Sequence, residues 1–256
     1  MKITSFTFLA SIVVALCCLL SLGARAQVSD NFNAGNDAGW TRYDPLAPFG
    51  APATFSFPNG GYRIQAPASP DPLTLGPARA GSLRTDQSDA SDFGILFDVV
   101  GWDNAANQSF GALGRATSIG LGTTDGYGLT YSTAGSLDLV RIDNEVFTIL
   151  DTTSITLDPA KNYRFILNEY GTAIGGGVYD FADLANPLAY VSAPDATYSA
   201  GTSGLLVYGN SGNSSLDVTF DNFANALNIP EPSVFDLLLL GSLGIFSTRA
   251  WRRSSP

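Results

Sequence analysis

The side chains that could move protons in this 256-residue chain are mainly carboxylates and tyrosines, because the sequence contains no histidine. A Ser-His-Asp triad, a Cys-His pair and an imidazole metal site are therefore excluded. Both cysteines, Cys17 and Cys18, lie in an apolar stretch near the N-terminus. Beyond that stretch, disulfides and cysteine-bound metals are excluded as well. Acid–base chemistry would fall to Asp, Glu, Tyr or Lys161.

The three glutamates, Glu145, Glu169 and Glu231, are isolated from one another along the chain. Hydrolysis of a glycosidic bond generally requires two carboxyl groups about 5–9.5 Å apart. Glu145 follows Asn144 in a predicted hairpin turn and Glu169 stands at a predicted strand end, so we expect both to be solvated. These positions predict a protein that is not an enzyme. A pair of aspartates remains open, so a carboxylate-dependent glycan hydrolase or lyase is the alternative.

Two tryptophans, Trp40 and Trp102, stand beside Gly, Asp and Asn residues, where loops are expected. A flat aromatic ring at a loop can stack on a sugar face while Asn and Asp bind the hydroxyl groups. Trp40 and Trp102 are therefore the candidate glycan-binding residues. The alternative is that both indoles close the ends of the hydrophobic core.

The chain is acidic, with 23 Asp and Glu against 13 Lys and Arg and a net charge of −10. A surface of this charge repels phosphate backbones, so we expect no nucleic-acid partner. The same balance is compatible with divalent cations.

Short apolar runs separated by turn residues must position these side chains, and long helical patterns are missing between the two ends. In the run 163–169, Tyr163, Phe165 and Leu167 share one face of a predicted strand. The run Phe93–Trp102 is apolar on both faces, which indicates a central strand. Ala134-Gly135 and Asp143-Asn144 predict hairpin turns. About a dozen strands at such spacing are typical of an all-β sandwich or barrel.

The segments "LDPAKNYRFILNEYGTAIGGGVYD", "GTSGLLVYGN" and "VTFDNFANAL" resemble the concanavalin A-like jelly roll of the laminin-G and legume-lectin kind. The resemblance covers Ser29 to Leu227. It implies two stacked, curved antiparallel sheets in which the first and last strands lie together. Glucanases of this group carry Glu-x-Asp-x-Glu on one strand, and that motif is absent here, which again favours a non-enzymatic domain.

The resemblance also implies one structural calcium ion near the paired terminal strands. Asp30 and Asp221 are the matching positions, because each opens a copy of the tripeptide Asp-Asn-Phe at one end of the domain. Carboxylate oxygens in loops are the ligands that calcium prefers. Chance recurrence of the tripeptide is the alternative.

Both ends of the chain are predicted to be processing segments. Residues 1–26 have a Lys2 start, an apolar stretch and an Ala24-Arg25-Ala26 cleavage pattern, which are typical of a secretory signal peptide. The apolar run after Pro232 would form a helix of about 24 Å, too short for a permanent membrane anchor but adequate for a transient one.

The order of features in 229–256 is similar to the PEP-CTERM sorting signal. The residues that carry the resemblance are Pro230, Glu231, Pro232, Arg249, Arg252 and Arg253. It implies recognition and cleavage by a membrane-embedded exosortase in bacteria that make exopolysaccharide.

The sequence therefore predicts three parts: a signal peptide (1–26), a β-sandwich domain (27–228) and a PEP-CTERM segment (229–256). We expect export through the Sec pathway, transient anchoring in the inner membrane, and a final place at the cell surface or in the extracellular matrix. The predicted activity is glycan binding or a structural role, with an exosortase-type enzyme and extracellular polysaccharide as partners.

Overall fold

The computed structural model describes residues 28–84, 92–210 and 214–226. The predicted signal peptide (1–26) and PEP-CTERM segment (229–256) lie outside these residues, and both remain predictions. Within the described ranges, no helix has the length and apolar character needed to cross a membrane.

Fifteen strands in the described residues form two antiparallel sheets. The eight-stranded sheet contains β1 (Val28–Asp30), β3 (Thr54–Ser56), β4 (Tyr62–Ala66), β6 (Phe93–Trp102), β11 (Tyr163–Tyr170), β12 (Ala173–Asp180), β13 (Ala189–Pro194) and β15 (Leu216–Ala226). The seven-stranded sheet contains β2 (Thr41–Tyr43), β5 (Arg79–Leu83), β7 (Gln108–Thr117), β8 (Asp125–Ser132), β9 (Ser136–Asp143), β10 (Val146–Ser154) and β14 (Thr202–Gly209). Short 3-10 helices span Ala47–Phe49 and Pro58–Gly60. The predicted all-β sandwich is confirmed.

The main hydrophobic core lies between the two sheets, and strands of both sheets contribute residues to it. The eight-stranded sheet runs β13-β12-β11-β6-β15-β4-β3, with β1 also on β15, and the other runs β10-β9-β8-β7-β14-β5-β2. Alternate residues of β6 and β11 face inward, and Phe97 lies opposite Phe165 with ring centroids 5.1 Å apart. Such cross-strand aromatic pairs add to the burial of apolar surface that holds the two sheets together.

The first and last described strands pair side by side, as the resemblance implies. Asp30 of β1 lies opposite Phe223 of β15. The phenylalanines of the two Asp-Asn-Phe copies, Phe32 and Phe223, are both fully buried and pack on Trp40, with ring centroids 5.5 and 4.8 Å from its indole. The repeated tripeptide thus supplies two rings to one end of the core.

A buried ion pair connects the two sheets at one end of the sandwich. Arg115 and Glu169 have side-chain exposures of 1% and 0%, and Arg115 Nε lies 3.7 Å from Glu169 Oε2. The expectation that Glu169 is solvated is wrong, because the alternation that turns Leu167 inward continues to Glu169. A β-bulge in β7, with Arg115 at φ 44°, places the guanidinium in the interior. A Cβ on Gly114 would lie 2.4 Å from Glu169 Oε1, so glycine makes room for the carboxylate.

Asp195 holds the β13–β14 connection against the seven-stranded sheet. Its carboxylate accepts hydrogen bonds from Tyr127 Oη at 2.7 Å, Thr197 N at 2.8 Å and Arg141 Nη1 at 2.9 Å. Burial acts to raise the pKa of Asp195, but the hydrogen bonds from Thr197, Tyr127 and Arg141 outweigh it and hold the pKa well below the ordinary 3.8.

Replacing Asp195 is expected to change how stability depends on pH. A depressed carboxylate pKa stabilises the fold fully above the unfolded-state value near 3.8, and that contribution is lost as pH falls below it. We expect Asp195→Asn to cost about 1–3 kcal/mol at pH 7 and to flatten the stability loss between about pH 5 and pH 2. Urea unfolding at several pH values measures this. Parallel curves for the two proteins would contradict the role assigned to the carboxylate.

Candidate functional site

A cavity of about 470 Å³ opens on the outer face of the seven-stranded sheet. It is lined by segments 74–77, 121–122 and 208–210 and by Arg79, Asn144, Glu145 and Phe147. Successive residues of β14 point to opposite faces of the seven-stranded sheet. Leu205 and Val207 belong to the main core, so Leu206 and Tyr208 lie on the outer face, where the cavity opens. A second apolar cluster covers this outer face under the cavity: Tyr43, Leu83, Leu113, Ala116, Val140, Ile142 and Leu206.

An aromatic pair forms one wall of the cavity. Phe147 of β10 and Tyr208 of β14 stack with centroids 4.5 Å apart and an interplanar angle of 22°. Both rings are half-buried, so part of each faces the cavity. The Tyr208 hydroxyl lies 3.4 Å from Thr130 Oγ1, and burial raises the pKa of Tyr208 above its ordinary value. The hydroxyl is therefore neutral at physiological pH.

An arginine–glutamate pair also lines the cavity. Arg79 Nε and Nη2 donate to Glu145 Oε1 and Oε2 at 2.9 and 2.8 Å. Glu145 also accepts hydrogen bonds from Gly122 N at 2.5 Å and from the Tyr43 hydroxyl. The expectation that Glu145 is a solvated turn residue is wrong, because β2, β5 and the β7–β8 loop converge on its carboxylate.

The turn that presents Glu145 is strained at the glutamate itself. Asn144 and Glu145 have φ of 51° and 64° and form the two-residue loop between β9 and β10, as a type I′ turn requires. Glycine is the usual residue at the second position, and a glutamate there carries a conformational cost. The hydrogen bonds to its carboxylate offset that cost, which explains why a glutamate can occupy this position.

The charges of the pair respond to burial in opposite directions. Burial raises the pKa of Glu145 above 4.5, and the Gly122 N–H donated to the carboxylate opposes this shift. Burial lowers the pKa of Arg79 from 12.5. Direct contact with the guanidinium favours the carboxylate, so we treat the pair as ionised at neutral pH. Its charges cancel over a short distance, so the pair adds no net charge to the cavity lining.

Two asparagines add neutral hydrogen-bonding groups at the rim. Asn144 and Asn210 are both exposed. Asn210 Nδ2 donates to Ser132 Oγ at 2.9 Å, and its Oδ1 accepts from Ser109 Oγ. These contacts orient the Asn210 amide. Among the described residues that line the cavity, Glu145 is the one carboxylate, whereas glycoside hydrolysis generally uses two. The arrangement therefore suits binding of a polar ligand with apolar patches.

The structure places the two candidate tryptophans away from this cavity. Trp40 is 9% exposed, belongs to the main core and donates its Nε1–H to Asp30 Oδ2 at 2.8 Å. An indole so covered offers no face to a sugar, and the core alternative describes Trp40. Trp102 is half-buried against the core, near Phe110 and Tyr131, and donates to Asn104 Oδ1 at 3.2 Å.

The two aspartates proposed for calcium lie on the paired terminal strands β1 and β15, and the calcium site remains a prediction. Asp30 Oδ1 accepts from Phe32 N at 2.8 Å, its Oδ2 accepts from Trp40, and Arg84 Nη1 lies 3.9 Å from Oδ2. Burial raises the pKa of Asp221, and the charges of nearby Asp98 and Asp30 raise it further. In the described part of the chain, no three His, Cys, Asp or Glu side chains cluster as metal ligands do. These donors fit Asp30 as an internal acceptor better than as a calcium ligand.

Sequence reasoning missed Arg79, Phe147 and Tyr208, and it expected Glu145 to be solvated. Their separation along the chain hides the cavity, since Arg79 and Glu145 are 66 positions apart. The available signal was a glutamate after Asn144, at a turn position that favours glycine.

No family model matches the chain, and no curated protein matches it. Several solved structures, in contrast, are similar to this chain in fold. A carbohydrate-binding module from Bacillus subtilis is 16% identical with a TM-score of 0.55, covering 75% of this chain and 97% of that one. The fold is a galectin- and concanavalin A-like jelly roll.

Two further structures resemble this jelly roll. A galectin-like protein of unknown function from Bacillus subtilis is 11% identical with a TM-score of 0.56, covering 78% and 94% of the two chains. A β-1,3-1,4-glucanase (lichenase) from a mouse hindgut metagenome is 12% identical with a TM-score of 0.57, covering 80% of this chain and 100% of the glucanase. At these identities the likeness shows the fold, and the function must be argued from the cavity.

Proposed function

We propose that this chain is an exported, cell-surface or exopolysaccharide-matrix protein whose jelly-roll domain binds glycan in the cavity on the seven-stranded sheet. The observation that carries the proposal is a single cavity that combines the stacked Phe147–Tyr208 pair, neutral asparagine amides and the internally paired charges of Arg79 and Glu145. A sugar has apolar C–H faces and hydroxyl groups that both donate and accept, and this lining offers partners for each.

Binding without hydrolysis is favoured by the state of Glu145. A general acid must give its proton to the leaving group, whereas the Glu145 oxygens accept from Arg79, Gly122 and Tyr43. The alternative function is a carboxylate-dependent glycan hydrolase or lyase, and the lichenase shares the fold. Release of reducing ends or unsaturated sugars from a polysaccharide panel, abolished in Glu145→Gln, would establish that alternative.

The binding proposal is tested with soluble polysaccharides in affinity gel electrophoresis. We expect Phe147→Ala to weaken binding at least about tenfold, because it removes half of the aromatic wall. Phe49→Ala is the matched control, since Phe49 is 47% exposed and lies outside the cavity lining. Equal binding by wild type and Phe147→Ala, with the Phe147→Ala protein folded, would contradict the site.

Sorting through the PEP-CTERM segment supports the surface location and gives a separate prediction. In a host that carries an exosortase, we expect the surface form to end near Pro230-Glu231-Pro232 and to lack Arg252 and Arg253. Intact mass spectrometry of the surface fraction measures this. A mass that includes both arginines would argue for an ordinary tail anchor.

A further inference from the structure

A second aromatic surface lies on the opposite side of the sandwich. Tyr190, on the edge strand β13, pairs with Gly177 of β12 and is 51% exposed. Its Oη lies 2.8 Å from the position that a Cβ on Gly175 would take, and its Cδ2 lies 3.2 Å from that of Gly177. The ring therefore lies across the backbone of two glycines, with its other side facing away from the sheet.

Gly175 and Gly177 leave the space that the Tyr190 ring occupies. The three glycines at 175–177 form no bulge, because β12 pairs with both neighbours in unbroken register. Neither Gly175 nor Gly177 has a positive φ. The absence of side chains at these two positions makes room for the ring, and no unusual backbone conformation is involved. The middle glycine, Gly176, faces the core, where a Cβ would lie 2.6 Å from Leu129 Cδ2.

A shallow groove of about 340 Å³ continues from this ring along the sheet. Tyr170, which is 39% exposed, stands in its lining, and Asn168 and Ser192 supply polar groups. None of the ten described residues that line the groove is charged, although the whole chain has a net charge of −10. This neutrality in an acidic protein points to an uncharged occupant that presents both apolar and hydroxyl surface.

We propose that the Tyr190 groove is a second glycan-binding surface, specific for neutral polysaccharide; the inference rests on the proposed glycan-binding function. Because the two sheets pack by their inner faces, the cavity of Phe147 and the groove of Tyr190 face in opposite directions. One domain thus contacts two glycan strands at once. Bivalent contact links strands to one another in a matrix and raises the overall avidity.

The test uses the purified protein with a neutral oligosaccharide and with the corresponding soluble polysaccharide. Calorimetry is expected to find two sites in the wild type and one in Tyr190→Ala, whose binding at the groove falls about tenfold or more. Tyr190→Phe keeps both sites. Leu188→Ala is the matched control, because Leu188 is equally exposed at 51% but lies outside the groove lining.

Cross-linking gives an independent readout. Wild-type protein is expected to make the polysaccharide solution turbid, and both Tyr190→Ala and Phe147→Ala are expected to abolish the turbidity while each retains one site. Binding at the groove is expected to change less than about twofold on adding roughly 0.5 M salt, since none of its described lining residues is charged.

The outcomes separate this inference from the proposed function. If Tyr190→Ala behaves like Leu188→Ala while Phe147→Ala loses a site, the groove proposal is wrong and the cavity proposal stands. If only Tyr190→Ala loses a site, the groove stands and the cavity proposal fails. Absence of any binding overturns both. A change of oligomeric state in Tyr190→Ala without a change in binding would show that the groove holds a second copy of the chain.

Discussion

Glu169→Ala is expected to destabilise the domain by about 3–5 kcal/mol, the cost of removing one member of a buried ion pair. The reason is the position of Arg115, whose side chain is 1% exposed and would lose its carboxylate partner in the interior. Arg115 Nη1 donates to Gly171 O and Tyr198 O at 2.9 Å in both cases, and these carbonyls do not replace the lost negative charge. The variant leaves a cation and a cavity between the sheets.

Urea unfolding measures this effect, with Arg42→Ala as the matched control. Arg42 also pairs with a carboxylate, Asp37, but its side chain is 47% exposed, so its loss is expected to cost about 0–1 kcal/mol. Gly114→Ala tests the same region from the other side, because the added Cβ meets the Glu169 carboxylate. If Glu169→Ala costs no more than Arg42→Ala, the pair does not hold the sheets together.

Breaking the Arg79–Glu145 pair is expected to give the second-largest effect, about 2–4 kcal/mol for Arg79→Met or Glu145→Leu alone. The side chains are 9% and 13% exposed, so solvent relieves part of the cost of the remaining charge. Loss of Arg79 also removes support for the strained φ of 64° at Glu145. We therefore expect weaker glycan binding in both variants as well as lower stability.

A double-mutant cycle isolates the contribution of the pair. The protein with both Arg79→Met and Glu145→Leu is expected to be about 1–3 kcal/mol more stable than the sum of the single effects predicts, because neither charge is left alone. Chemical denaturation of the four proteins gives the coupling energy. Strict additivity would show that the two side chains act independently, against the contacts of 2.8 and 2.9 Å.

Local patterns in the sequence predict the strands well where burial alternates. The apolar run Phe93–Trp102 coincides with β6, and the inward face of Tyr163, Phe165 and Leu167 is buried as predicted. The second hairpin turn differs by one residue: Asp143 pairs with Val146, and the turn consists of Asn144 and Glu145. Asn144 is therefore the first residue of the turn and not the second, and Glu145 takes the second position, where glycine is usual.

The candidate site depends on contacts that single-sequence reasoning does not give. Solvation of Glu145 and Glu169 is the natural expectation from polarity alone, yet tertiary contacts pair both with arginines. Trp40 is flanked by loop residues, but the pairing of β1 with β15 encloses it between Phe32 and Phe223. Alternation along β11 does indicate that Glu169 faces inward with Leu167, but strand order supplies the arginine partners and the rings around Trp40, and periodicity along one strand carries no information about the neighbouring strand.

The most direct test of the central claim is a crystal structure of the protein with the oligosaccharide that binds best in the panel. The account predicts a sugar ring against Phe147 and Tyr208, with a hydroxyl within about 3.2 Å of the Asn144 or Asn210 amide. Sugar bound elsewhere on the molecule, with the cavity free of it at saturating concentration, would contradict the assignment of this cavity as the glycan-binding site.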